Sequence, residues 1–187
     1  SHCALAPSGL MACIIPFLAF SKPGGHVLVG DNVYGPTRRF VDRMLKRWGV
    51  EATYFDPEIG AGIVSLIRAD TSVLFVESPG SMTFEIADAP ALAAAARAAG
   101  VISVMDNTWS GGVFHKPLAL GFDISVQANT KYVSGGADAL NGAMHTNSED
   151  VFAQLKDAIA DLGSNVAPDD AYAVLRGARS LPLRMDQ

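Results

Sequence analysis

Val101-Ile102-Ser103-Val104-Met105-Asp106-Asn107-Thr108-Trp109 and Asp123-Ile124-Ser125-Val126-Gln127-Ala128-Asn129-Thr130-Lys131-Tyr132 decide the fold. Each is a short run rich in Val and Ile that breaks into polar residues, the pattern of a buried parallel strand leaving its sheet. The first run ends on an acid, Asp106, and the second delivers a hydroxyl and an amine, Thr130 and Lys131. In an open parallel sheet the C-terminal strand ends line one crevice, and ligands bind there. A carboxylate and a lysine are therefore expected to meet at one edge of one sheet.

Strand and helix patterns alternate on either side of these runs. Ser8-Gly9 opens an apolar helix through about Phe20, which follows the start of the chain almost at once. His26 to Gly30 reads as a strand, and Pro36 starts a helix whose apolar positions Phe40, Val41, Met44, Leu45 and Trp48 recur at helical spacing until Gly49. Val50 to Phe55 reads as a strand, Ala61 to Arg68 as a short helix and Ser72 to Val76 as a buried strand. Asp88 and Gly100 are the N-cap and C-cap expected for an Ala-rich helix over Ala89 to Ala99. Beyond the second quoted run, Ala139 to Thr146 reads as a further strand. Ser148 caps an amphipathic helix to Leu162, and Pro168 opens another to about Ala178. Repeated βα units predict an α/β fold, with a mostly parallel sheet and helices on both faces.

The length, 187 residues, suits one domain with a real core. A net charge of −5 leaves no basic field for nucleic acid, and the densest basic run, Arg38 to Arg47, reads as the solvated face of one helix. The apolar stretch Leu10 to Phe20 is too short to span a bilayer and is broken by Pro16. Cys3 and Cys13 are expected to be reduced core residues, which suits a cytoplasmic protein. The four histidines are scattered and give no metal-ligand spacing.

A lysine and an acid at such an edge suit pyridoxal 5'-phosphate, whose aldehyde a lysine holds as a Schiff base and whose ring nitrogen an acid pairs with. Lys131 follows an apolar strand rather than a polar helix face. Partly desolvated beside a cation, it would have a lowered pKa and could act as a base. Thr130 could hydrogen-bond the phosphate. The unpaired N–H groups of Gly9 and Leu10, at a helix start, offer a second anion site. Tyr34 lies at a strand-to-helix turn where it could stack on a planar ring. Glu77-Ser78-Pro79-Gly80-Ser81 ends another strand at the same edge and brings further polar groups.

In this order the pieces resemble the Cys/Met-metabolism family of pyridoxal-phosphate enzymes, of fold type I, the aspartate-aminotransferase-like architecture. The matching stretches are Pro7-Ser8-Gly9-Leu10, Asp31 to Arg38, Tyr54-Phe55-Asp56-Pro57, Glu77 to Ser81, Met105 to Trp109, Ser125 to Tyr132, Gly163-Ser164-Asn165 and Leu175 to Arg179. The resemblance implies Lys131 as the cofactor-bearing residue and Asp106 as partner of the ring nitrogen. It also implies Tyr34 stacked on the ring, and Gly9, Leu10 and Thr130 on the phosphate, with Ser81 among the cofactor contacts. Gly80-Ser81 and Trp109 lean toward the β-lyase branch. The implied reaction is β-elimination from a small sulfur amino acid, cystathionine giving homocysteine, pyruvate and ammonia in methionine biosynthesis. A γ-lyase, a γ-synthase or a cysteine-S-conjugate lyase are the alternatives within the family.

Where the family usually has Gly-His-Ser-Asp after the lysine, this chain has Gly135-Gly136-Ala137-Asp138. Residues 1–187 are expected to be part of the large cofactor-binding domain, with residues 168–187 leading toward a further domain. Full-length relatives complete the site with residues of a partner subunit, so a homo-oligomer, a dimer of dimers, is implied. A non-catalytic remnant is the alternative of another class. A dinucleotide-binding domain lacks its Gly-x-Gly-x-x-Gly signature here.

Overall fold

A computed structural model describes residues 1–186. Seven strands form one sheet: β1 (His2–Ala6), β2 (His26–Gly30), β3 (Glu51–Phe55), β4 (Thr71–Glu77), β5 (Ile102–Asp106), β6 (Ile124–Gln127) and β7 (Gly142–Thr146). Their spatial order is β1-β7-β6-β5-β4-β2-β3. The five strands from β6 to β3 run parallel, and β7 and β1 are antiparallel additions at one edge. Among the described residues the α-helices are α1 (Gly9–Phe20), α2 (Gly35–Phe40), α3 (Ala89–Ala99), α4 (Pro117–Leu120), α5 (Glu149–Asp161), α6 (Pro168–Ala178) and α7 (Leu181–Met185).

The two-residue alternation of the strands sorts the core into two layers. Val29, Phe75, Val104, Val126 and Met144 face α1 and α5, whose Ile15, Phe17 and Leu155 meet them. Phe17 stacks on Phe75 with ring centroids 5.1 Å apart, and burying one such side chain is worth roughly 1.5–3 kcal/mol. Leu28, Leu74, Val76 and Met105 face the other way, against Leu92, Ala93 and Ala96 of α3. The small residues of α3 let it lie close to the sheet. His26 is also in the core, with both ring nitrogens engaged by Thr71 Oγ1 at 2.8 Å and Thr53 Oγ1 at 2.9 Å. It is a satisfied structural histidine.

Several caps are as the sequence indicates. Ser8 and Ser148 accept N–H bonds from Met11 and Val151. Asp88 accepts from Ala91 at the start of α3, and Gly100 closes that helix in the left-handed conformation. Other expectations need correction. The chain does not enter a helix at once, because His2–Ala6 pairs with β7 as an edge strand. The last strand starts at Gly142 rather than Ala139. The helix expected after Pro36 loosens at Val41–Leu45 into a π-helical segment, and residues 60–66 form a 3₁₀ helix. Cys13 is buried, but Cys3 is exposed: alternation turns Ala4 and Ala6 inward and puts Cys3 and Leu5 on the opposite face. That face, formed by β1, β7 and β6 and flanked by Val174 and Leu175 of α6, is an open groove.

Candidate active site

The alternation that buries Phe75 and Val104 carries Glu77 and Asp106 to the C-terminal edge of the sheet, on the α1 face. The two acids are register partners on adjacent parallel strands. Both are buried, at 4% and 7% exposure. Burial, with Asp106 beside it, pushes the Glu77 carboxyl up to about 7. Burial also raises the pKa of Asp106, against the pull of Thr108 and Cys13. Oδ1 of Asp106 accepts from the Thr108 N–H at 3.0 Å and the Thr108 hydroxyl at 2.6 Å. Among the described residues Oδ2 accepts only a thiol, Cys13 Sγ at 3.3 Å. A thiol is a weak donor, so Oδ2 keeps capacity for a stronger, cationic one.

Glu77 is the residue that the sequence underrates. Its Oε2 accepts the Tyr34 N–H at 2.6 Å and its Oε1 the Ser81 hydroxyl at 2.7 Å. It thereby ties the start of α2 and the loop after β4 to the Asp106 edge. The Tyr34 ring itself is nearly half exposed. Ser81 also donates its N–H to Asn32 O. Gly80 makes that approach possible, since a Cβ there would lie 2.2 Å from Asn32 Nδ2.

The N-terminus of α1 comes to the same edge. A Cβ on Gly9 would fall 2.3 Å from Ala128 Cβ, so glycine is what lets the helix start abut the end of β6. Gly9 and Leu10, as first-turn residues, have N–H groups without intrahelical acceptors, and Ser8 Oγ takes that of Met11. Gly9→Ala is expected to cost about 1–3 kcal/mol through overpacking. It should also weaken cofactor retention if the helix start is the phosphate site that the sequence suggests. Thermal unfolding and a cofactor titration on the same variant check both effects.

The turn after β6 carries Lys131. Ala128 N–H donates to Thr108 Oγ1 at 2.9 Å, joining this turn to the Asp106 loop. The Thr130 hydroxyl donates to Asn141 O at 3.2 Å and accepts the Asn141 N–H at 3.0 Å. Both contacts order the turn. Lys131 is exposed rather than partly desolvated as the sequence suggests. Ala137, where the family usually has a serine, adopts a left-handed conformation with φ 54°.

The acid pair has a consequence for stability. A carboxyl whose pKa is higher in the folded than in the unfolded chain leaves folding unpenalised below its unfolded value. The penalty builds as pH rises through the window and is complete above the folded value. For Glu77 the window runs from its ordinary 4.5 to about 7, a penalty on the order of 3 kcal/mol. Cofactor-free protein should therefore unfold at lower urea at pH 8 than at pH 5. Glu77→Gln should flatten that difference, and an unchanged difference would locate it elsewhere.

The comparisons with known proteins agree with this geometry. The family model described as Cys/Met metabolism PLP-dependent enzyme matches residues 1–187, and the chain belongs to that family. A Rhizobium johnstonii protein provisionally named cystathionine beta-lyase is 52% identical over 183 residues, covering 98% of this chain and 46% of its own length. The cystathionine beta-lyase of Bordetella avium is 43% identical over 187 residues, 100% of this chain and 47% of its own. The crystal structure of cystathionine gamma-lyase from Lactobacillus plantarum complexed with L-serine superposes with a TM-score of 0.94 at 31% identity, covering 98% of this chain and 48% of that one. The chain spans about half the length of the relatives it matches. The family is pyridoxal-phosphate dependent, and the residues present fit that cofactor: a buried acid with one oxygen held only by a thiol, a helix start for the phosphate, and an accessible lysine.

Proposed function

We propose that this chain is the cofactor-binding domain of a longer pyridoxal-phosphate carbon–sulfur lyase that eliminates at Cβ of a small sulfur amino acid. Cystathionine, cleaved to homocysteine, pyruvate and ammonia, is the substrate that the β-lyase relatives suggest. The observation that carries the reading is the buried Asp106 Oδ2, weakly bonded and beside a second buried acid, at the strand end next to the Lys131 turn. When bound, pyridoxal phosphate supplies an electron sink for the carbanion left when a Cα–H bond breaks.

Within this reading each residue has a defined task. Asp106 holds a proton at the pyridine nitrogen, Tyr34 presents its ring, and the Gly9 and Leu10 N–H groups hold the phosphate. Lys131 would hold the cofactor through its Nζ and, as the base of the site, would take the proton from the substrate Cα. Thr130 and Ser81, whose hydroxyl protons are engaged by Asn141 and Glu77, act by ordering the turns around the cofactor. The complete enzyme is proposed to be a homo-oligomer in the cytoplasm. Among the described residues, no helix is long and apolar enough to cross a membrane.

The γ-lyase reading is the alternative. Identity of 52% and 43% to the β-lyase-named relatives, against 31% to the γ-lyase structure, favours the β reaction. Product analysis on cystathionine decides. Pyruvate with homocysteine is the expected result, and 2-oxobutyrate with cysteine would replace it by γ-elimination.

A further inference from the structure

The turn that bears Lys131 is short of internal hydrogen bonds at one end. Ser134 N–H bonds Asn129 O, Gly135 N–H bonds Lys131 O and Ser134 Oγ bonds Thr130 O. The carbonyls of Tyr132 and Val133, next in line, have no acceptor role inside the turn. One side chain from the far end of the chain takes both. Arg184, on α7, donates Nη1 to Tyr132 O, and Nη2 to Val133 O at 3.1 Å and to Gly177 O at 2.9 Å. Its Nε donates to Ser180 Oγ at 3.1 Å, which fixes the fork in the plane these carbonyls need.

Two glycines admit this arrangement. A Cβ on Gly135 would lie 2.5 Å from the Arg184 guanidinium carbon, so the guanidinium lies flat on a bare backbone. A Cβ on Gly177 would lie 2.1 Å from Ser134 O, so α6 presses directly on the same turn. Two further contacts bind α6 to the segment after the turn: Arg176 pairs with Asp138 at 3.2 Å, and Asp170 Oδ1 accepts the Leu140 N–H at 3.1 Å. Met185 of α7 also packs by Gly111, in the loop that follows Asp106. The helix pair thus grips the backbone on which Lys131 is mounted.

We propose that Arg184 is a positioning residue for Lys131, fixing the orientation of its turn by binding the Tyr132 and Val133 carbonyls. The inference rests on Lys131 being the cofactor-bearing lysine. Arginine suits the role because its planar fork spans two acceptors, which the single ammonium of a lysine does not. Because α7 contributes no fully buried residue, its loss of grip should loosen the turn without opening the core.

The test uses the complete protein, freed of cofactor and then reloaded, and separates attachment from docking. Arg184→Ala should slow borohydride-trapped attachment of pyridoxal phosphate to Lys131 by about 10- to 100-fold, the scale of a sub-ångström to 1 Å misplacement. Methylguanidinium in the buffer should restore part of the rate. In a Lys131→Ala background the same Arg184→Ala change should leave the noncovalent dissociation constant for the cofactor within about twofold, since contributions that act only through Lys131 vanish with it. An unchanged attachment rate would overturn the proposal. So would an equal loss of docking in both backgrounds, which marks a general structural role. Should Arg184→Ala fail to fold, Arg184→Lys carries the same test, with slowed attachment expected and an unchanged rate overturning. Label that still appears in Lys131→Ala alone, by contrast, removes the lysine assignment itself and is read without reference to Arg184.

Discussion

Lys131→Ala in the complete enzyme should lower turnover on the order of 10⁴-fold, because one side chain is asked both to carry the cofactor and to move the Cα proton. Docking of the cofactor should survive, since the proposed phosphate, ring and ring-nitrogen contacts are those of Gly9, Leu10, Tyr34 and Asp106, on other elements. The result expected is a protein that still retains cofactor through gel filtration but, after borohydride, carries no covalent label on the peptide spanning position 131. Added primary amines of small size should recover a fraction of the rate. Turnover that persists undiminished would take Lys131 out of the chemistry, and with it the proposed elimination mechanism.

Asp106→Ala should produce the second large loss, on the order of 10²–10⁴-fold, the range for removing a group that places a proton in the transition state. Its signature differs from that of the lysine. Labelled attachment at Lys131 should persist, while KM changes little and kcat falls. Stability should move the opposite way. With Asp106 gone, Glu77 loses the neighbouring negative charge that helps push its pKa up, so the cofactor-free variant should resist urea better than the native protein at pH 8. Activity and stability opposed at one position is the pattern of a group held there for function. A variant both inactive and less stable would point instead to a structural aspartate.

The parts of the fold that were legible in the sequence are those with local signals. Asp88, the alanine run and Gly100 mark α3 to the residue, and Pro36, Ser148 and Pro168 mark three more helix starts. β1 escaped because His-Cys-Ala-Leu-Ala contains no β-branched residue, and it becomes a strand only by pairing with β7. α7 escaped because Leu-Pro-Leu-Arg-Met is too short for a helical period. At the candidate site, Asp106 and Lys131 could be read because each ends or follows an apolar run. The burial of Glu77 against Asp106 depends on the register of β4 with β5, the thiol at Asp106 on the approach of α1, and the Arg184 grip on a contact spanning 52 residues. No local pattern encodes such meetings.

The juxtaposed acids at the ends of β4 and β5 reach beyond catalysis to the lifetime of the protein in a cell. With two carboxyls gathered out of water, the cofactor-free fold is less durable near neutral pH than in acid, and the proposed ring-nitrogen cation beside Asp106 would relieve that. Any ligand that binds only the folded form adds stability by mass action. A few kcal/mol of such linkage changes how often the chain opens to proteases. Within the proposed function, cofactor supply would then set how much of the folded protein persists, with scarcity thinning the pool by degradation.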